Sequence, residues 1–226
     1  RKGIVGYGVC LALSASALLL SETRGAWLGA GAALMVLGFV KNKWLPAALA
    51  VVVVGMYLAA PRHLQMRAES IFEIRDESTA ARLNMWSTGA NMIRAHPWLG
   101  VGPNQITALA YQYGGNPKYA PQFFTHLHNN FLQLAAERGL PGLAAWLWLL
   151  GQFFWDTGKF VRSRSRRDQP WAYGFGWGVM AAMIALVIAG MFEFNLGDSE
   201  VLMLVLLLLG SVYGLMGDEG GEAMGR

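Results

Sequence analysis

The residues best suited to chemistry in this chain are two histidines and a few arginines. In HLHNN, 126–130, the His-x-His spacing can place His126 and His128 on one side of an extended segment. A zinc site needs a third or fourth ligand, and His63 and His96 follow no metal-binding spacing. The expectation is therefore no metal and no cofactor. A general base is chemically easier, because imidazole exchanges protons near neutral pH. His128 lies just before a predicted helix, whose N-terminus disfavours an imidazolium, and a proton acceptor has to be neutral. The plainer alternative is a histidine that caps or packs at a membrane edge. Arg24 sits in the SETRG turn, 21–25, between two apolar runs. A charge at the centre of a membrane helix costs about 2.5–3.5 kcal/mol, but one at a helix end can reach water. Arg24 is thus either an interface anchor or an anion ligand. Arg82 opens a predicted helix and is either a surface arginine, paired with Asp76 or Glu77, or part of a site.

The elements that must hold these residues are mostly apolar. The hydrophobic fraction is 54% and the charged fraction 14%, whereas a soluble domain usually carries about a quarter charged residues. Apolar residues come in long runs, roughly 4–20, 26–40, 44–60, 141–157, 172–192 and 201–216, the signature of lipid as solvent. Unpaired backbone is too costly in lipid for anything but helices or closed barrels. The expected fold is all-α: a multi-pass transmembrane helical protein with a large, partly helical loop. The net charge of +4 is no nucleic-acid signal, since the basic residues bracket apolar runs and set topology. The lone Cys10 excludes a disulfide within the chain.

The basic cluster Lys159, Arg162, Arg164, Arg166 and Arg167 belongs in the cytoplasm. Threading outward from it gives three transmembrane helices in 1–60 and a periplasmic loop at 61–140. Three more helices follow in 141–216, with a cytoplasmic loop at 159–170 and a cytoplasmic tail at 217–226. The acidic turn with Glu193, Asp198 and Glu200 then falls outside, with 21–25 and the large loop. That loop holds all four histidines, and long loops of this kind are usually functional. Within it, Leu83, Trp86, Ala90 and Ile93 recur at helical spacing after the capping types Asp76 and Ser78. A second short helix fits NQITALAYQY. A third fits HNNFLQLAAER, with Gly139 as its cap and Pro141 beyond. Nucleotide-type glycine loops, a nucleophile elbow and HExxH are missing. With few carboxylates outside, a paired-carboxylate glycosidase is disfavoured. Glycan transfer without metal or carboxylates would need a base and cations.

Taken together, SETRGAWLG, RLNMW with MIRAHPWLGVGPNQ, and HLHNNFLQLAAERGLPGL resemble the O-antigen ligase and polymerase superfamily of bacterial inner-membrane proteins. The tightest match is His128-Asn129, nine residues, then Gly139 and Gly142, similar to the ligases' HN-x9-GxxG pattern. The likeness covers roughly 10–160, and it implies that the chain is the C-terminal half of a longer protein. It also implies transfer of a glycan from an undecaprenyl diphosphate carrier to a sugar hydroxyl, on lipid A-core for a ligase or on a growing glycan for a polymerase. His128 maps onto the family's essential histidine. Arg24 and Arg82 map onto its diphosphate-binding arginines, with Arg94 as the fallback and His126 and Asn129 as further substrate contacts. The residues themselves leave two other classes open, a membrane transporter and a non-catalytic subunit of an export complex. A transporter should place ionisable groups inside its apolar segments, and these segments are nearly free of charge.

Overall fold

The computed structural model describes residues 2–69, 77–119, 124–164 and 169–224. Among these the chain is entirely helical, with no strand. Helices α1 (Lys2–Leu20), α2 (Arg24–Lys41) and α3 (Leu45–Ala59) form the first apolar group. The short α4 (Arg62–Glu69), α5 (Glu77–Ala95) and α6 (Ile106–Leu109), then a 3-10 turn at Ala110–Tyr113, make up the polar insert. Helices α7 (Asn130–Ser163), α8 (Pro170–Ala189) and α9 (Ser199–Met224) follow, with a 3-10 turn at Asn195–Gly197 between the last two.

Among the described residues, two helices are long and apolar enough to cross a membrane, Pro170–Ala189 and Ser199–Gly217. Val5–Leu20 and Leu45–Ala59 are apolar but shorter. At 1.5 Å per residue, 15 residues of α3 span roughly 22 Å, against a hydrocarbon core of about 30 Å. Helix α2 is rich in glycine and alanine and begins and ends on a cation. The C-terminal half of α7 carries Gln152, Asp156 and Lys159 among its apolar residues. Of the six spans that the apolar runs suggest, only those on α8 and α9 thus meet, among the described residues, the length and apolarity of a crossing. Val51, Leu206 and Leu207 are nevertheless exposed, and such apolar surface is better suited to lipid than to water.

Small residues set the spacing of the bundle. A Cβ on Gly29 of α2 would lie 2.5 Å from the Ala185 carbonyl oxygen of α8, so this pair approaches as closely as backbones allow. Leu150 and Phe153 of α7, Val179 and Met183 of α8, and Val205 and Val212 of α9 form a second packed core. The polar insert has a core of its own: Ala81, Met85, Met92, Ile106, Phe124, Leu127 and Ala136. The buried stripe of α5 is therefore Ala81, Met85, Thr88 and Met92. The stripe expected from periodicity, Leu83, Trp86, Ala90 and Ile93, is displaced because Leu83 and Trp86 turn toward α2 and line a pocket with it. Of the two expected caps, Asp76 lies outside the described residues and Ser78 falls inside the helix.

The two glycine motifs of the insert explain each other. Helix α7 is interrupted at Gly139, with φ 74° and ψ 175°, a conformation essentially reserved for glycine. The break strands carbonyls of the preceding turn. The HPWLGVG loop meets them: Val101 N donates to Ala136 O at 2.8 Å and Gly102 N to Glu137 O at 3.1 Å, while Leu140 N donates to Pro97 O at 2.8 Å. A Cβ on Gly139 would lie 2.2 Å from the Trp98 carbonyl oxygen, and one on Gly100 would lie 2.4 Å from the Glu137 carbonyl carbon. These glycines are requirements of a backbone clamp that holds the first half of α7 against the insert.

Candidate functional site

The HLHNN segment is fixed from behind by a buried polar ladder. Asn130, Gln133 and Glu137 share the packed side of α7 and are all buried. Gln133 Oε1 accepts from Leu127 N at 2.8 Å, and its Nε2 donates to Glu137 Oε1 at 2.8 Å. That carboxylate also accepts from Asn104 N at 2.9 Å. The peptide between the two histidines is thereby tied to the helix. Phe131, Leu134, Ala135 and Arg138, at helical spacing, lie along one side of α7, with Ala135 buried and Arg138 exposed. Polar side chains on a buried face are invisible to a hydrophobic period.

Asn129 caps α7, accepting from Phe131 N at 2.9 Å and from Leu132 N at 3.0 Å. Its amide donates to Met191 O at 2.9 Å. Asn130 N donates to Gly190 O at 2.7 Å, and a Cβ on Gly190 would lie 2.2 Å from Asn130 Nδ2. The end of α8 is thus stitched to the start of α7, and Asn129 is engaged as a cap and a stitch. His128 takes a left-handed conformation, φ 47°, which non-glycine residues adopt rarely, histidine more readily than most.

That stitch delivers a residue the histidine spacing could not reveal. Glu193, on the turn after α8, places Oε1 2.7 Å from His128 Nδ1 and 3.7 Å from His126 Nδ1. Its Oε2 lies 3.6 Å from Arg82 Nη2. The two imidazoles meet edge to face, with centroids 4.1 Å apart. The His128 contact is short, but Nδ1 is not aligned there as a directed hydrogen bond. Burial alone would raise the Glu193 carboxyl, but the His128 contact and charge, the Phe194 N–H and the His126 charge outweigh it. The net effect holds Glu193 below the usual carboxylate range. Burial and the neighbouring His128 lower His126, with Glu193 and Asp198 opposing. The sequence did hold one signal for Glu193, since charge-based threading puts its acidic turn on the same side as the large loop.

Arg82 also faces the other way. With Arg24 it lines a pocket of about 110 Å³, walled by Gly25, Leu28, Thr79, Leu83, Trp86 and Phe192. Arg24 is the first residue of α2, not a turn residue as expected, and it is 8% exposed. The preceding turn is closed by Ser21 Oγ donating to Leu18 O at 2.8 Å. Two guanidiniums at a helix N-terminus make a place for an anion. Trp86 Nε1 is buried without a hydrogen-bond partner among the described residues, on a side chain that lines the same pocket. Arg94 is exposed and donates to Asn91 Oδ1 at 3.0 Å. Twelve residues along α5 from Arg82, it is roughly 18 Å away along the axis. The structure thus brings together His128, His126, Arg82 and Arg24, and leaves out Arg94. His63 stands exposed on α4, and His96 pairs with the Tyr113 hydroxyl at 2.7 Å.

A search of curated proteins returns no match. The family model described as O-antigen ligase matches residues 9–147, more than half of the chain, and that stretch contains every one of these residues except Glu193. The family is membrane-associated and belongs to lipopolysaccharide biosynthesis, with ligase- or polymerase-type glycosyl transfer and lipid-linked glycan and polysaccharide partners in general. The chain belongs to the O-antigen ligase family.

Proposed function

We propose that this chain performs metal-independent, inverting transfer of a glycan from undecaprenyl diphosphate to a sugar hydroxyl of lipid A-core. The observation that carries this reading is Glu193, which touches His128 at 2.7 Å and Arg82 at 3.6 Å and so joins a base to a cationic pocket. The donor diphosphate lies against Arg24 and Arg82, with the Trp86 N–H as a further donor and its lipid tail in the bilayer. Arginine binds phosphate oxygens in pairs and keeps its charge at any working pH. With Glu193 at Nδ1, His128 keeps its proton there and offers Nε2 as acceptor. The acceptor hydroxyl attacks the anomeric carbon and its proton passes to Nε2. The bond to the carrier oxygen breaks, and the leaving diphosphate takes the charge onto the arginines, which favours the transition state over the ground state.

In this reading the protein is multi-pass in the bacterial inner membrane, with 61–140 in the periplasm and 159–170 in the cytoplasm. The same threading puts Glu193 beside the histidines, as the site requires. Cysteines at Lys118 and Arg164, in a Cys10→Ala background, test the orientation. In cells permeabilised only at the outer membrane, an impermeant thiol reagent should label the first alone. Labelling of the second alone would invert the topology.

The reaction itself is tested on the surface glycans of a strain in which this protein is deleted, with the complemented strain as control. Loss of glycan from lipid A-core, with long chains accumulating on the carrier, is the expected phenotype. Single repeat units on the core would make it a polymerase on the same donor class. Unchanged glycans would remove both.

A further inference from the structure

The His126, His128 and Glu193 cluster invites a second use. Each residue offers one ligand atom, and these atoms lie within 4.8 Å of one another. The sequence alone presents two histidines without a third ligand; the turn after α8 supplies the carboxylate. Two imidazole nitrogens and one carboxylate oxygen form a donor set that zinc uses with an open fourth position. Tetrahedral zinc would hold the three atoms about 3.3 Å from one another. The His126 contact with Glu193 is 3.7 Å and the His128 contact 2.7 Å, and all three atoms lie within 4.8 Å of one another, so closing on the metal takes side-chain movements of up to roughly 1.5 Å. His126 Nδ1 already acts as an acceptor, from His128 N at 3.4 Å, which is the tautomer coordination requires.

Several features narrow the metal. The ligand set brings one negative charge, and Arg82 faces Glu193 Oε2 at 3.6 Å, opposing any cation there. Phe194 N also donates to Glu193 Oε1, at 3.1 Å. A hard cation such as Mg²⁺ or Ca²⁺, which binds through oxygen and charge, is poorly served. Zinc, with its affinity for imidazole nitrogen, is well served.

We propose that His126, His128 and Glu193 form an inhibitory zinc site that switches off the base. Its inhibitory half rests on the glycan-transfer reading above; its binding half does not. The chemistry is one of tautomers. Zinc on His128 Nδ1 displaces the proton that Glu193 holds there, and a neutral imidazole must then carry its proton on Nε2. That nitrogen becomes a donor and can no longer take a proton from the acceptor hydroxyl. No bond to the substrate changes, and removal of zinc restores the active tautomer. His126, a neighbour without a step in the transfer, acquires a role as the second nitrogen ligand.

The test uses the full chain purified in detergent and stripped with EDTA. Zinc titrated by calorimetry should bind once per chain, and cobalt(II) should give the visible absorption of a low-coordinate nitrogen and oxygen site. His126→Gln and Glu193→Gln should each weaken zinc binding by roughly tenfold or more. Zinc should raise the melting temperature of the parent protein and, at the same concentration, raise that of His126→Gln less, a readout independent of activity. In the transfer assay, zinc should inhibit the parent reversibly, and inhibition of His126→Gln, measured against its own zinc-free rate, should need roughly tenfold more metal. Unchanged zinc affinity in both variants would overturn the site. Zinc bound through these residues without inhibition would overturn the switch and also the Nε2 base. Activation by zinc would overturn the inhibitory role and make the transfer metal-dependent.

Discussion

His128→Ala should reduce glycan transfer by about 10²–10⁴-fold, the usual worth of a positioned general base, while the protein still inserts and still binds its lipid-linked donor. The division of labour follows from the geometry. Donor affinity is assigned to the pocket lined by Arg24 and Arg82 and to the lipid tail, whereas His128 acts on the proton of the acceptor. A group that works only in the transition state lowers kcat without weakening ground-state binding. Two companions sharpen the result. Glu193→Gln keeps the size of the side chain but removes the charge at Nδ1, and its loss should be smaller than that of His128→Ala. His126→Ala should be milder still, since the ligase-like spacing to Gly139 and Gly142 counts from His128. The measurement is transfer from a purified lipid-linked glycan to its acceptor, with donor binding followed separately. Near-normal turnover by His128→Ala would take the base out of the mechanism. Chelation should leave the rate intact or raise it; loss of activity on chelation, restored by a divalent metal, would make the histidine cluster a catalytic metal site.

Arg24→Lys should be nearly as harmful as Arg24→Ala, with kcat/KM for the lipid-linked donor down by roughly 10²-fold, the scale of losing one preorganised donor to a developing negative charge. Lysine keeps the charge but loses the planar fork that grips two phosphate oxygens. The position is buried and begins a helix, so a shorter reach cannot be recovered by moving the side chain through solvent. If Arg24 only anchored the helix end at the membrane surface, lysine would serve equally well, because both cations can reach water from a helix terminus. Full transfer by both variants at normal expression would end its part in diphosphate binding. Arg82→Lys should show the same kinetic signature with a second component. Arg82 also contacts Glu193 at 3.6 Å, so its replacement disturbs the partner of His128 and should lower kcat as well as donor affinity.

Much of this was legible in the residues themselves. Long runs of apolar residues announce helices, because a single segment in lipid satisfies its own backbone hydrogen bonds only as a helix. Gly114, with φ 99°, ends the short second helix where a glycine pair signals it, and α5 ends at Ala95, ahead of Pro97. Gly139 was readable as a helix end, but the chain turns straight into a new helix, since the HPWLGVG loop takes up the stranded carbonyls. Periodicity reports apolar residues, so it gives no sign that Gln133 and Glu137 of α7 are buried and hydrogen-bonded to each other.

The residue types of the proposed site, His128 and the arginines, could be proposed from sequence because imidazole and guanidinium have few rivals for these tasks. Which of them share a pocket could not be. Arg24 and Arg82 meet because α2 and α8 pack through Gly29 and α5 turns Trp86 toward them. Glu193 reaches His128 because Gly190 lets the end of α8 touch Asn130 with no side chain between. Local spacing records interactions within a turn or two of the chain. A carboxylate that arrives from a distant turn leaves no such record, and only the packing of α8 against α2 and α7 decides that the base has a partner.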